Sequence, residues 1–436
     1  MMKIKPVIII SFLLVWMLTA CSSDPVPVPE LPSSATPEMI IVPTSTPTPE
    51  PTPTTAVSQL DIAPADLKNV KIEFWHPWNF ERRAALLALI EEFNHQNLWG
   101  ITVSEQSHGS DLGHIIRDGI LSNVLPNLTV GYSSQLNTWE RRGDRIVDLN
   151  TYVNDPEWGF SLEEQADFLP AFMGDDLVDG KRIGFPANRS AMTLFYNQSW
   201  AEDLGFSEPP STPEDFEEQA CATAQHSDHA TGWLASLDST SALGWLYAFG
   251  SQVVTEDGYH LSPHQNEETL AFIKDLFADG CAAFPETGSA HQAFAARQGL
   301  FLSSSLAGLP AQTAAFQEAG VRDVWLVLPF PAVDGDPVLV TYGLSYVLFK
   351  GSPEEQLAAW LFIRWMNQPA QQSEWLMTDS SFSTRASTIQ SMDNFINEIP
   401  AWGQAQALVV YGRSEPSFAS WSAARWAVED AFENLL

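Results

Sequence analysis

Val70-Lys71-Ile72-Glu73-Phe74-Trp75-His76-Pro77-Trp78-Asn79 is the stretch on which the fold turns. Val70, Ile72 and Phe74 alternate with Lys71 and Glu73, the period of a half-buried strand, and the strand runs into Trp75-His76-Pro77-Trp78. Asn79 is placed to cap a helix, and Leu86, Leu89, Ile90 and Phe93 then recur at the spacing of one buried helical face. After Gly100, Ile101-Thr102-Val103 alternates again. Strand, helix and strand in this succession make a βαβ unit, so the expected fold class is α/β with a largely parallel sheet. Ligands of such folds sit beyond the carboxyl ends of the strands, which places Trp75, His76 and Trp78 where a ligand would be.

Downstream, Leu112, Ile115, Ile116, Gly119 and Ile120 predict a second helix, and Leu128-Thr129-Val130 a strand feeding the loop Tyr132-Ser133-Ser134-Gln135. Residues 192–197 read as a strand and 199–204 as a short helix closed by Gly205. Thr212-Pro213-Glu214-Asp215 is a helix start, with a hydroxyl cap, a proline at the first position and an acid three residues after the cap. Helices are also expected over 267–278, 353–366 and 369–377, and no internal repeat is visible.

Upstream, Lys3 and Lys5 precede an apolar run over 7–18 and then Leu18-Thr19-Ala20-Cys21. A cationic start, a short apolar stretch and small residues before a cut are the requirements of a secretory signal, here 1–20. The run is shorter than the 20 or so apolar residues of a membrane-spanning helix. Leu18-Thr19-Ala20-Cys21 resembles the lipobox of bacterial lipoproteins, which implies a lipid on Cys21 and an extracytoplasmic protein anchored to the cell membrane. Residues 21–67 are rich in Pro, Thr, Ser and acid, too poor in apolar surface to offset ordering entropy, and are expected to form an extended stalk. The chain of 436 residues has 21 Lys+Arg against 54 Asp+Glu, a formal charge of −33. A nucleic-acid reader needs a surplus of cations, so nucleic acid is not an expected partner.

From Val70 onward the segments Phe74-Trp75-His76-Pro77-Trp78, Glu92-Phe93-Asn94, Gly184-Phe185-Pro186, Phe195-Tyr196-Asn197-Gln198-Ser199-Trp200, Pro209-Pro210-Ser211-Thr212-Pro213-Glu214-Asp215-Phe216, Asp275-Leu276-Phe277-Ala278-Asp279-Gly280, Tyr342-Gly343-Leu344-Ser345 and Ser352-Pro353-Glu354-Glu355 follow one another. In this order they resemble the family 1 extracellular solute-binding proteins, the maltose-binding-like receptors of ABC importers. The resemblance implies a periplasmic-binding-protein-like fold of two discontinuous α/β lobes joined by a hinge, with the solute in the cleft between them. It places lobe I at 68–186 plus 333–378 and lobe II at 190–328 plus 380–436, with crossings near Phe185-Pro186, Leu328-Pro329 and Ser380. It also implies permease subunits of an ABC transporter as partners, a monomer, no cofactor and no catalysis.

Aromatic faces stack on the C–H faces of sugars, so Trp75, Trp78 and Trp245 are candidate ligand residues, with His76 as a hydrogen-bonding neighbour. For Trp245 core packing is an equal alternative. Polar candidates come from expected loops: Ser133, Ser134 and Gln135, Asn188 and Arg189, Ser303, Ser304 and Ser305, Tyr342 and Gly343, and Arg385. Neutral hydroxyls and amides suit a neutral sugar or polyol, because only Arg189 and Arg385 offer charge to an anion. Cys221 and Cys281 fall in one proposed lobe and outside the cell are readily oxidised, so a disulfide is expected. A metal site with His226, Asp228 and His229, or two free thiols, are the alternatives, and the first lacks a recognised zinc spacing. No Gly-x-Ser-x-Gly, His-Glu-x-x-His or Gly-x-Gly-x-x-Gly occurs, and the 174–181 segment lacks a P-loop's spacing and hydroxyl. A secreted glycoside-active enzyme using an acid pair such as Asp175-Asp176, or a receptor for a peptide or other non-sugar solute, are the alternative functions.

Overall fold

A computed structural model describes residues 57–435, apart from 228, 256, 257 and 261. The signal segment 1–20, Cys21 and the stalk as far as residue 56 lie outside the described residues. The remainder of the expected stalk is part of the folded body. Ser58 Oγ and the Gln59 amide donate to the Asp155 carboxylate, and Ile62 and Leu67 are buried in the core, because 57–67 supplies the apolar residues that the preceding Pro/Thr tract lacks.

Two sheets share the chain. It enters the first with β1 (Lys71–His76), passes through α1 (Phe80–Gln96), β2 (Thr102–Ser107), α2 (Leu112–Ser122), β3 (Leu128–Tyr132) and α3 (Ser133–Glu140), and leaves after β4 (Phe185–Pro186). The second sheet takes β5 (Ser190–Asn197), α4 (Pro213–His226), β6 (Thr231–Leu234), α5 (Ser239–Ala248), α6 (Pro263–Ala278), β7 (Ala282–Ala283), β8 (Gly299–Ser305), α7 (Leu309–Ala319), β9 (Trp325–Leu328) and β10 (Leu339–Tyr342). The chain returns to the first sheet for β11 (Leu344–Leu348), α8 (Pro353–Met366) and α9 (Pro369–Asp379). It finishes beside the second with β12 (Gly412–Ser414) and α10 (Trp421–Glu433). Strand order is β2-β1-β3-β11-β4 in the first sheet and β7-β6-β8-β5-β10-β12 in the second, with β9 also on β5.

The βαβ unit is present, with β1 parallel to β2 and β3. The sheets are mixed and not largely parallel. β11 runs antiparallel to β3 and β4, and β5 runs antiparallel to β8, β9 and β10, because strands that follow a crossing enter a sheet without a crossover helix to turn them. Asn79 does not cap α1 with its side chain; its Oδ1 accepts from Ser107 Oγ at 2.8 Å and so ties the end of β1 to the end of β2. The Thr212 start of α4 forms as expected, with Thr212 Oγ1 accepting from the Asp215 amide and the Asp215 carboxylate accepting from the Thr212 amide.

Each lobe has an aromatic core. In the first, Phe74 of β1 packs on Tyr346 of β11 and Phe362 of α8. In the second, Trp233, Trp245, Phe216 and Phe301 interlock.

One expected crossing is displaced. The chain does not change lobe near Leu328-Pro329: Phe330 pairs back with Val338, β10 lies on β5, and the passage falls at Gly343. β9 covers only the carboxyl half of β5, and the pairing of Ser190–Met192 is completed by β10, so 333–342 belongs with the second sheet. The chain passes from β4 to β5 over 187–189, and a third passage follows α9.

Candidate functional site

The three passages touch. A Cβ on Gly343 would overlap the Asn188 carbonyl oxygen and lie 2.9 Å from the Arg189 Cα, so only glycine lets the first two strands cross so closely. The third passage bridges to the first through Arg189 and Phe382, whose amide donates to the Arg189 carbonyl.

Arg189, 1% exposed, binds them together. Its Nη1 donates to the carbonyls of Asn188 and Leu344 at 2.9 Å, its Nη2 to Ser345 Oγ at 3.0 Å and Asp176 at 3.3 Å, and its Nε faces Asp175 at 3.3 Å. Asp176 also accepts from Ser133 Oγ at 2.7 Å and from Ser345 Oγ. Asp175 accepts from Ser414 Oγ of β12 at 2.6 Å, joining the lobes. Burial pushes the Asp175 carboxyl above its usual range in spite of Arg189. On the other side of the crossing, Asn188 donates to Asp379 at 3.0 Å and accepts from the Leu344 amide, while Asp379 pairs with Arg82 at 3.0 Å.

Two chambers open against this knot and meet at Tyr132 and Tyr342. The smaller, about 230 Å³, is bounded by Tyr132, Ser133 and Ser134 from the first lobe, Asp175 and Leu177 beside it, Thr341-Tyr342-Gly343 of the second passage, and Ser414, Glu415, Ser417 and Trp421 from the second lobe. The larger, about 850 Å³, lies between Pro77–Arg82 with Asp379 on one side and Ser190, Ala307, Pro310 and Ala311 on the other. Burial holds the Tyr342 phenol up to about 12, so it stays a neutral donor at any physiological pH. Ser190 is 9% exposed and its Oγ has no hydrogen-bond partner among the described residues.

Of the residues expected to touch ligand, Trp78, Ser133, Ser134, Asn188, Tyr342 and Gly343 line these chambers. Ser133 does so from the first turn of α3 and not from a loop. The others do not line them. Gln135 is turned back to accept from the Tyr132 amide at the start of α3. His76 is buried, with Nε2 2.7 Å from Glu105 and Nδ1 unpartnered; burial lowers its pKa, so it is a neutral imidazole donating to that carboxylate. Trp75 points to the other face of β1 and packs on His108. Trp78 is only 5% exposed and is wedged between His76 and Trp375, so it presents an edge and not a face. Trp245 is core, because α5 is buried on almost every side. Ser303 accepts from Trp233 Nε1 within β8, which extends through Ser304 and Ser305 where a loop was expected. Arg189 is consumed by the knot. Arg385 is held by Asp167 at 2.6 Å, the Asn367 carbonyl and the Phe168 ring.

Sequence reading missed Phe80, Tyr132, Asp175, Ser190, Glu415 and Trp421. Asp175 enters the sequence reading only as half of a hydrolytic acid pair, and nothing local marks Glu415, which the tail brings to the cleft from 240 positions downstream of Asp175. Cys221 and Cys281 are joined as a disulfide with Cα atoms 4.5 Å apart, which removes both sulfurs from the metal alternative. Among the described residues no group of three or more His, Cys, Asp or Glu is placed to hold a metal, and no helix is long and apolar enough to cross a membrane.

Two discontinuous α/β lobes, joined by crossing strands around a polar cleft, define a two-lobed solute-binding fold. The chain belongs to the bacterial extracellular solute-binding protein family, whose model matches residues 88–402. The fold is similar to that of the cyclic α-maltosyl-1,6-maltose binding protein of Arthrobacter globiformis (19% identity, TM-score 0.69, covering 84% of this chain and 94% of that one). It is also similar to the sugar-binding protein MalE of Xanthomonas citri (19%, TM-score 0.71, 84% and 92%) and to UgpB of Mycobacterium tuberculosis, solved with glycerophosphocholine (16%, TM-score 0.66, 84% and 98%). A curated binding protein of Brucella abortus is 22% identical over 170 residues, 37% of this chain; the match spans 41% of that relative's length.

Proposed function

We propose that the chain is the solute receptor of an ABC importer, tethered to the membrane by a lipid on Cys21, and that its lobes close on a sugar-like solute held at the crossings. The observation that carries this reading is the hydroxyl- and aromatic-lined chamber walled by both lobes and by the second passage. Hydroxyls of Ser133, Ser134, Thr341, Ser414 and Ser417 match a polyol, and Tyr132 and Tyr342 offer rings and phenols to the same solute. Phe80, fully exposed beside the larger chamber, supplies a further face. Lobe I then comprises 68–186 and 344–378, lobe II 190–342 and the tail, and closure is a rotation about the three passages.

Asp175-Asp176 does not serve as a hydrolytic pair in this reading, since Asp176 is buried and takes up Arg189, Ser133 and Ser345. A panel of sugars, polyols and short peptides screened by thermal shift tests the proposal. The expected result is saturable stabilisation, about 2.7 kcal/mol at a hundredfold excess over Kd, with the solute recovered unchanged. Hydrolysis of a glycoside that is lost in Asp175→Asn would overturn it in favour of an enzyme.

A further inference from the structure

Resting on that reading of the cleft, we propose that the solute carries a basic nitrogen, and that Glu415 and Asp175 hold its ammonium group in the smaller chamber.

The charges around this chamber do not balance. Among its lining residues are two carboxylic acids and neither lysine nor arginine. Asp175 shares the guanidinium of Arg189 with Asp176, and the second nearby cation, Arg182, acts on Asp176. Glu415 is held by neutral donors alone, Thr240 Oγ1 at 2.6 Å and Trp421 Nε1 at 3.2 Å. Behind Thr240, Asp238 adds another carboxylate at the start of α5; Arg425 donates to Ser239 Oγ, and its charge reaches the chamber wall at Tyr132. The Asp175 carboxylate, its side chain only 16% exposed, is poorly stabilised by water, and burial correspondingly pushes it up.

A cationic group entering the chamber relieves both acids at once. An ammonium has three donors and no acceptor, which fits a wall made of carboxylate and hydroxyl oxygens, whereas a sugar hydroxyl brings one donor and no charge. The rings of Tyr132 and Tyr342 at the chamber mouth add faces that attract a cation. Ser190, nine-tenths buried, stands opposite Tyr342 in the strand register and lines the larger chamber, into which the rest of such a solute would extend.

Calorimetric titration of the purified protein with glucose, glucosamine and N-acetylglucosamine, and with maltose and the disaccharides of the two amino sugars, separates the possibilities. The expected result is that the free amine binds about tenfold or more tightly than its hydroxyl and acetylated counterparts, as a charge-assisted contact requires. That preference should shrink with added salt and fall towards one in Glu415→Gln. The salt series uses the unaltered protein and stands even if a variant fails to fold. Equal binding of amine and parent sugar, or a preference untouched by both Glu415→Gln and Asp175→Asn, overturns the amine proposal and leaves the sugar receptor in place. Binding of none of these sugars would overturn the receptor reading and the amine proposal together.

Discussion

Phe80 is 92% exposed and has φ of 50°, a left-handed backbone that costs a non-glycine residue about 1–2 kcal/mol. Burial does not repay that strain, and Phe80 lines the larger chamber together with Ala307, Pro310 and Ala311. Phe80→Gly should therefore raise stability by about 1 kcal/mol in urea unfolding while weakening solute binding severalfold. Loss of stability with affinity unchanged would remove Phe80 from the cleft. The stretch that decides the fold located this site but misassigned its members. Adjacent strand residues point to opposite faces, so Trp75 was never going to act with His76. His76 lost its role to a buried pairing with Glu105, 29 positions away, which one sequence cannot reveal. Glu415 and Asp175 escaped for a similar reason, because their proximity is a product of chain crossing.

At the level of elements, the helices and strands were legible where local chemistry fixes them, as at Thr212-Pro213-Glu214-Asp215 and along β1 and α1. The second passage was misplaced because Leu328-Pro329 ends a strand in the same way that a crossing would. Only the return of Val338 onto Phe330 tells the two apart. Gly343 carries the consequence: Gly343→Ala forces the first two passages apart and should cost about 1–3 kcal/mol, with weaker solute binding because the chamber wall moves. Gly335→Ala, in an exposed turn with nothing near its Cβ but a φ of 80° that also strains alanine, should cost stability while leaving binding unchanged and is the control. The Cys221–Cys281 bond ties α4 to the entry of β7 across 60 positions. By loop-closure entropy its removal in a double Cys→Ser variant should lower stability by about 4 kcal/mol, read as a shift of the urea midpoint with solute affinity retained.

For the whole molecule, the excess of acid sets the response to pH. Hydrogen bonds from Arg297 hold Asp323 below the usual carboxylate range, those from Ser211 do so for Asp215, and those from Lys350 for Asp144. At Glu105, Asp155, Glu164 and Asp167 burial pushes upward and is outweighed by donors around each group. A carboxylate depressed by folding contributes stability that is present above its unfolded pKa of about 4 and is lost as pH falls through the folded value. Asp175 and Glu429, raised by burial, act in the opposite sense and are outnumbered. Burial also lowers the His76 pKa, which adds stability that is lost as pH falls below the unfolded value of about 6.5. The Tm should therefore begin to decline below about pH 6.5 and drop steeply below about pH 4; a Tm that rises on acidification below that point would contradict this balance.

The alternation of the chain between sheets also dictates when either lobe can exist. β3 finds its outer neighbour only in β11, more than 200 positions later, and β10 finds its own in β12 near the carboxyl end. A ribosome must release β11 before the first core can seal and β12 before the second sheet is complete, and such distant pairings form late. Slow maturation of this kind keeps a nascent chain threadable, which is what a secretion channel requires of its cargo.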